Sequence, residues 1–398
     1  MATHKASRTR RGRGCPGRFV SAERAFVCCF HINGRITPHT CCPITDHSPH
    51  MYKAITDVVN TTTRLAMPIL QAPVTPLPEG INLRGQTAIV TGASNGIGTE
   101  IVAQLLERHI STVILAVRNV AKGEAARTSL LARPSVRKTN PKAVLKVMEL
   151  EVEDYASVQR FTKAFLAEHS ELHLLMLNAG IGVLKRDLVS NGHEKHIQVN
   201  YLSNVLITLE LLPLLNATAD KTGKPTRLTW TGSRMHSSSA LAKGKVPIKP
   251  GETVLGHFDS EDSYVPFARY ADSKLLCLFF LFELRKHLNG DKVIQNSYCP
   301  GMVNTGMSDV LPIYLRLPMN LVKAIRARSV EVAGWTALNA AVVVGPESHG
   351  QFLLDKDIVE PSPYVKTAEG QKVQKMLWNE TIDEMSTLTT IPAWMKKV

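Results

Sequence analysis

The chain has 398 residues, 44% of them hydrophobic and 20% charged, with a formal net charge of +13. That suits one large α/β domain or two small ones, with ample apolar material for a core. No apolar run approaches the roughly 18–20 residues of a membrane helix, so no transmembrane helix is expected, and the basic balance suits an anionic cofactor without demanding nucleic acid.

Residues 1–50 carry eight Lys and Arg against Glu23 and Asp46, and five of the seven cysteines: Cys15, Cys28, Cys29, Cys41 and Cys42. They show no sustained periodicity and read as a basic, Cys-rich disordered extension, with Met51 as the working start. An Arg-rich, acid-poor start also resembles a mitochondrial transit peptide. The adjacent cysteine pairs, with His31 and His39, do not match zinc spacing, so no metal is expected. A nucleic-acid-binding arm finds no aromatic-interleaved basic surface in the body to continue it. Only Cys277 and Cys299 lie in the body, as in a reduced intracellular enzyme, so a cytoplasmic location is expected.

Residues 51–80 hold a possible short amphipathic helix, Tyr52 to Met67, and a linker with Pro68, Pro73, Pro76 and Pro78. The domain spans 81–365, and 366–398 reads as a C-terminal helical tail. Ala88-Ile89-Val90 reads as a buried strand, Thr91-Gly92-Ala93-Ser94-Asn95-Gly96-Ile97-Gly98 as a glycine turn, and Ile97 to Arg108 as a helix. A strand, a glycine turn and a helix make the first unit of a dinucleotide-binding fold. The glycines bring backbone close to a pyrophosphate at the helix N-terminus. A glycine turn alone is weak evidence; its flanks raise it.

Strands follow at Thr112 to Val117, Ala143 to Leu150, Leu172 to Leu177, Thr226 to Thr231, Lys292 to Tyr298 and Gln351 to Leu354. Helices fall at Ala121 to Leu131 and Tyr155 to His169, with another opening at Tyr270. This alternation predicts a Rossmann-like, doubly wound, mostly parallel seven-stranded sheet with helices on both faces.

Twenty residues beyond Gly98, where NAD sites usually hold an acid, stands Arg118. A guanidinium suits a 2′-phosphate, which favours NADP over NAD; elsewhere it would be an ordinary solvated arginine. Asn178-Ala179-Gly180 ends the fourth strand, where backbone lies close to a ligand. Tyr270-Ala271-Asp272-Ser273-Lys274 places a phenol and an ammonium one helical turn apart. A nearby ammonium should lower the phenol's pKa and make Tyr270 a usable acid or base. Without the cofactor turn upstream, such a pair is common on surfaces.

Thr91–Gly98, Asn178-Ala179-Gly180, Tyr270 with Lys274, and Pro300-Gly301 resemble, in that order, the motifs of the short-chain dehydrogenase/reductase family. The chain is most similar to its retinol-dehydrogenase-like branch, common among fungal biosynthetic enzymes. Ser348-His349-Gly350-Gln351-Phe352 and Glu360-Pro361-Ser362-Pro363 add to that likeness. The resemblance implies that Ser233 bonds the substrate carbonyl, that Asn200 holds a proton-relay water, and that Lys274 contacts the nicotinamide ribose. It also implies that Val303 and Thr305 contact the carboxamide. Glu151 stands where the family usually has an aspartate by the adenine.

The 37 positions from Ser233 to Tyr270 exceed the family's usual spacing, and the extra residues read as a surface loop near the substrate mouth. The apolar stretch Met302 to Met319 resembles the family's mobile lid and suggests a bulky apolar carbonyl or alcohol, such as a polyketide or terpenoid; core packing is the competing reading. The expected activity is NADP(H)-dependent carbonyl–alcohol interconversion in secondary metabolism, with the oligomeric state left open. The alternative is a catalytically silent NADP-binding scaffold.

Overall fold

A short apolar run bounded by turns can bury both faces only inside a parallel sheet. β1, Thr87–Thr91, is such a run, and its last four residues are buried. α1 (Gly96–Glu107) buries Ile101, Val102, Leu105 and Leu106 at helical spacing. The computed structural model describes residues 71–306 and 313–395. The extension at 1–50, the helix expected at Tyr52 to Met67 and the stretch 307–312 lie outside these.

β2 (Thr112–Val117), α2 (Val120–Ala132), α3 (Pro134–Thr139), β3 (Val144–Glu149), α4 (Tyr155–Glu168) and β4 (Leu174–Leu177) continue the alternation. Asn119 and Asp154 start α2 and α4 by accepting backbone N–H groups of the first turn. A π-helical turn, Ile197–Leu202, then runs into α5 (Ser203–Thr222). β5 (Thr226–Thr231), α6 (Val254–Asp259), α7 (Arg269–Leu284), β6 (Val293–Cys299), α8 (Ile313–Arg326), α9 (Val330–Leu338), β7 (Gln351–Leu354), β8 (Asp357–Val359) and α10 (Ala368–Ser386) follow.

Among the described residues the strands form one sheet in the order β3-β2-β1-β4-β5-β6-β7-β8. All pairings through β7 are parallel, as expected. The expected count of seven falls one short. β8 pairs antiparallel with β7 through a two-residue turn, Asp355-Lys356, with both φ angles positive. Such turns usually announce themselves by Gly or Asn, and here the sequence offers neither.

Side chains alternate across the sheet. Ile89 joins a core with Phe161, Phe165, Leu206, Phe280 and Trp378 on one face. Ala88 and Val90 join Ile101, Leu105, Leu130 and Ala337 on the other. The continuous helix Ile197–Thr222 is long and apolar enough to cross a membrane, but 72% of its apolar window is buried inside this core. α10, in the segment read as a tail, also belongs to the core: Val373, Leu377, Trp378, Ile382 and Met385 are buried there, and Trp378 stacks on Phe280 at 5.3 Å.

His193 ties these layers together. Its Nδ1 bonds Asp259 of α6 at 2.8 Å and its Nε2 bonds Glu384 of α10 at 2.9 Å. Tyr155 of α4 donates to the same Glu384. Burial alone would depress the imidazolium, but the two carboxylates outweigh it and push its pKa up to about 10. An unfolded histidine titrates near ~6.5. The contribution to stability is therefore complete below about pH 6.5 and is lost as pH rises through about 10. His193→Gln should cost about 2–3 kcal/mol at pH 6. Thermal melts of both proteins from pH 6 to 10 should show a gap that narrows as pH rises; a constant gap refutes the charged histidine.

Candidate active site

The glycine turn closes on itself. Gly92 and Gly96 hold φ angles of 67° and 55°, where a side chain is strained. A Cβ on Gly98 would overlap the Gly92 carbonyl oxygen and press on the Asn178 amide. Asn95 caps α1 without a side-chain hydrogen bond, and the first turn holds no acid. Helix N-termini leave backbone N–H groups unpaired, which favours an anion. Ser94 is half-buried, Asn95 exposed and Ile97 half-buried on the rim of this cradle. The donor set and the missing Cβ atoms fit a dinucleotide's pyrophosphate.

Asn178-Ala179-Gly180 is stitched to that turn. The Thr91 hydroxyl accepts from the N–H groups of Asn178 and Ala179, both at 2.9 Å, and Asn178 Nδ2 donates to the Thr91 carbonyl at 3.0 Å. A Cβ on Gly180 would come within 3.0 Å of Asn200 Oδ1 and 3.6 Å of Lys274 Nζ. The glycine lets this loop lie directly on both. Asn200 sits in the π-helical turn, a distortion frequent at functional sites. Its Oδ1 accepts from Ile181 N at 2.8 Å, while Nδ2 donates to Ile181 O and to Ser273 Oγ. The asparagine therefore ties the loop after β4 to α7.

Tyr270 and Lys274 lie on one face of α7, with Nζ 5.8 Å from the ring centroid. Lys274 is 5% exposed and donates to the carbonyl of Thr231, the last residue of β5, at 2.8 Å. The expected depression of the phenol's pKa by the ammonium is corrected here. Burial pushes Tyr270 above the ordinary phenol value, and a hydrogen bond with Ser233 only partly offsets it. Burial likewise pulls Lys274 below the ordinary amine value. Desolvation wins because Nζ lies beside the ring and spends a proton on Thr231.

The long insertion does not part Ser233 from Tyr270. It is also more than a surface loop. Leu241, Val254, Leu255 and Phe258 join the core, while Lys243, Gly244 and Lys245 are exposed. Asp272 anchors it, accepting from Ser239 Oγ and Ala240 N, both at 2.7 Å. Asp272, Ser273, Thr91 and Thr231 were missed as positioning residues. All four lie within or directly beside recognised motifs, which is the signal that finds them.

Arg118, at the carboxyl end of β2, has a side chain 70% exposed, with Nε 3.7 Å from Glu151 and Nη1 3.6 Å from Glu153. The two acids hold the guanidinium at the sheet edge; Glu151 thus meets Arg118. After β6, Pro300 and Val303 are buried, Gly301 turns with φ 79°, and the Thr305 methyl lies beside Gly96. The loop from Pro300 to Thr305 reaches across to the glycine turn. Among the described residues no cluster of His, Cys, Asp or Glu could hold a metal. A groove of about 450 Å³ between α7 and α10, lined by Glu283, Arg285 and Gln374, lies away from these residues.

Gly98→Ala should lower cofactor affinity by at least about tenfold, because backbone rather than a flexible side chain blocks the added methyl. Equilibrium binding of NADPH measures it, and unchanged affinity would show that the turn is not the cradle.

The short chain dehydrogenase family pattern matches residues 86–224. Short chain dehydrogenase macD of Penicillium terrestre is 57% identical over 328 residues, covering 82% of this chain and 99% of that one. Short-chain dehydrogenase/reductase tropG of Talaromyces stipitatus is 55% identical over 322 residues, covering 81% and 97%. The fold is shared with NADPH-bound carbonyl reductase from chicken fatty liver: TM-score 0.50, 20% identity, 70% of this chain and all of that one. With the glycine turn, the Asn178 stitch and the Tyr270–Lys274 pair on one sheet edge, the chain belongs to the short-chain dehydrogenase/reductase family of oxidoreductases.

Proposed function

We propose that this protein is an NADP(H)-dependent reductase of a bulky apolar carbonyl compound in fungal secondary metabolism. One observation carries the reading most. The half-buried Tyr270 hydroxyl is bonded to Ser233, with Lys274 alongside, at the carboxyl ends of the strands that bear the glycine turn. The NADPH-bound state of the chicken carbonyl reductase and the names of the fungal relatives agree with it.

The nicotinamide supplies and accepts hydride. Gly92, Gly96, Gly98 and the α1 N-terminus would hold its pyrophosphate, Arg118 its 2′-phosphate, and Lys274 its ribose. Glu151 would lie by the adenine, and Val303 and Thr305 by the carboxamide. Ser233 holds the substrate oxygen and Tyr270 donates a proton to it. A phenol kept neutral is the right partner for an oxygen that becomes basic as the carbonyl is reduced. Lys274 lies beside Tyr270 and would stabilise the phenolate left behind, and Asn200 would hold the water that returns the proton. The apolar side chains Leu317, Met319, Leu321 and Ile325 of α8 are exposed, in keeping with a lid for an apolar substrate.

Tyr270→Phe should cut turnover by about 10²–10⁴-fold with NADPH affinity near normal. Lys274→Ala should lose both turnover and affinity. Stopped-flow reduction of an aromatic ketone panel beside fluorescence titration separates them. More than about a tenth of the activity surviving in Tyr270→Phe would assign the proton to another group. A protein that binds NADPH but reduces nothing would be the silent scaffold.

Cofactor choice has its own test. Arg118→Asp should move the NADPH-to-NADH affinity ratio by about tenfold to a hundredfold, the worth of one charge-assisted bond. If the ratio stays put, the phosphate is held elsewhere.

A further inference from the structure

The segment read from sequence as a Pro-rich linker is not idle. Gln71 reaches the loop that follows β6 and pairs with both backbone groups of one residue. Its Oε1 accepts from Met302 N at 2.7 Å, and its Nε2 donates to Met302 O at 2.8 Å. The same Nε2 donates to the Arg326 carbonyl at 2.6 Å, one of the terminal carbonyls of α8. One side-chain amide thus clamps the loop and caps the lid helix together.

The surroundings are built for it. A Cβ on Gly301 would overlap Gln71 Oε1 and crowd the Arg328 guanidinium. Buried Arg328 donates to the Ala72 carbonyl at 2.7 Å and pairs with Asp355 at 2.5 Å. Its backbone bridges Val303, with Arg328 N on Met302 O and Asn304 N on Arg328 O. Further along, Lys356 Nζ holds the Pro76 carbonyl at 3.0 Å. Lys323 of α8 donates to the Thr305 carbonyl, closing the loop from the other side. Residues 71–76 therefore form a strap from the loop to the β7–β8 turn.

We propose that Gln71 is a positioning residue for the nicotinamide cofactor. By fixing the peptide of Met302 it sets the Pro300–Thr305 loop against the glycine turn, and by capping α8 it couples that loop to the lid. This rests on the reading of the site as nicotinamide-binding. The consequence is that residues upstream of the catalytic domain, outside every motif, govern cofactor affinity.

The test uses the full chain. Gln71→Ala should raise the Kd for NADPH about tenfold, the order that a lost hydrogen bond supports. It should also speed amide hydrogen exchange in the peptide spanning 300–306, with the thermal midpoint nearly unmoved. Gln71→Asn keeps the amide but shortens the reach, and should show the same loss in lesser degree. Lys356→Ala releases the strap at its far end and should leave the Kd unchanged. An unmoved Kd in both Gln71 variants, or equal losses in the Gln71 and Lys356 variants, overturns the proposal. If the wild-type protein binds neither NADPH nor NADH, the nicotinamide reading falls and takes the cofactor role of Gln71 with it.

Discussion

The reversal of strand order at β1 and β4 is the constraint on which the site depends. From β1 the sheet grows through β2 and β3 to one edge, and from β4 to the other. Right-handed crossovers force the loops after β1 and β4 onto opposite faces, so a crevice opens between them at the strand ends. Thr91 sits at that point. Its single hydroxyl accepts two backbone N–H groups from β4's exit loop. The glycine turn and Asn178-Ala179-Gly180 are thereby held at a fixed spacing, and β5 and β6 deliver Ser233 and Pro300 to the same edge.

What the sequence made legible follows from how local each requirement is. The glycine turn needs three positions without a Cβ within seven residues, and no other residue meets that need. The strands of the parallel core read as apolar runs because both their faces are buried. β8 did not read, since three residues after an Asp355-Lys356 turn carry neither length nor glycine. Ile197–Thr222 escaped too: its apolar residues are broken by polar ones such as Asn200 and Asn204, whose side chains bond within the core. Gln71 was invisible for a different reason. Its partners, Met302 and Arg326, lie more than 230 positions away, and a glutamine in a Pro-rich stretch has no local pattern to betray it.

The pKa of the phenol shows where motif reasoning stops. Spacing places Tyr270 and Lys274 one turn apart but says nothing of what surrounds them. Desolvation acts on the pair in opposite directions, raising the phenol and lowering the amine. Both shifts favour the uncharged forms, because an isolated charge in this setting loses its hydration. Opposite charges that appear together lose less, since each compensates the other. In the proposed reduction, a proton leaving Tyr270 creates a phenolate beside an amine already fixed on the Thr231 carbonyl. That carbonyl accepts from Lys274 Nζ and so favours the ammonium, which is already in place when Tyr270 gives its proton to the substrate oxygen. Burial thus disfavours proton loss from Tyr270, and the hydrogen bond with Ser233 offsets that in part. The same desolvation acts on Asp272, buried two residues before Lys274: burial raises its pKa, and the hydrogen bonds it accepts offset this in part. It accepts from Ser239 and Ala240, which ties the insertion to α7 within the turn that carries the pair.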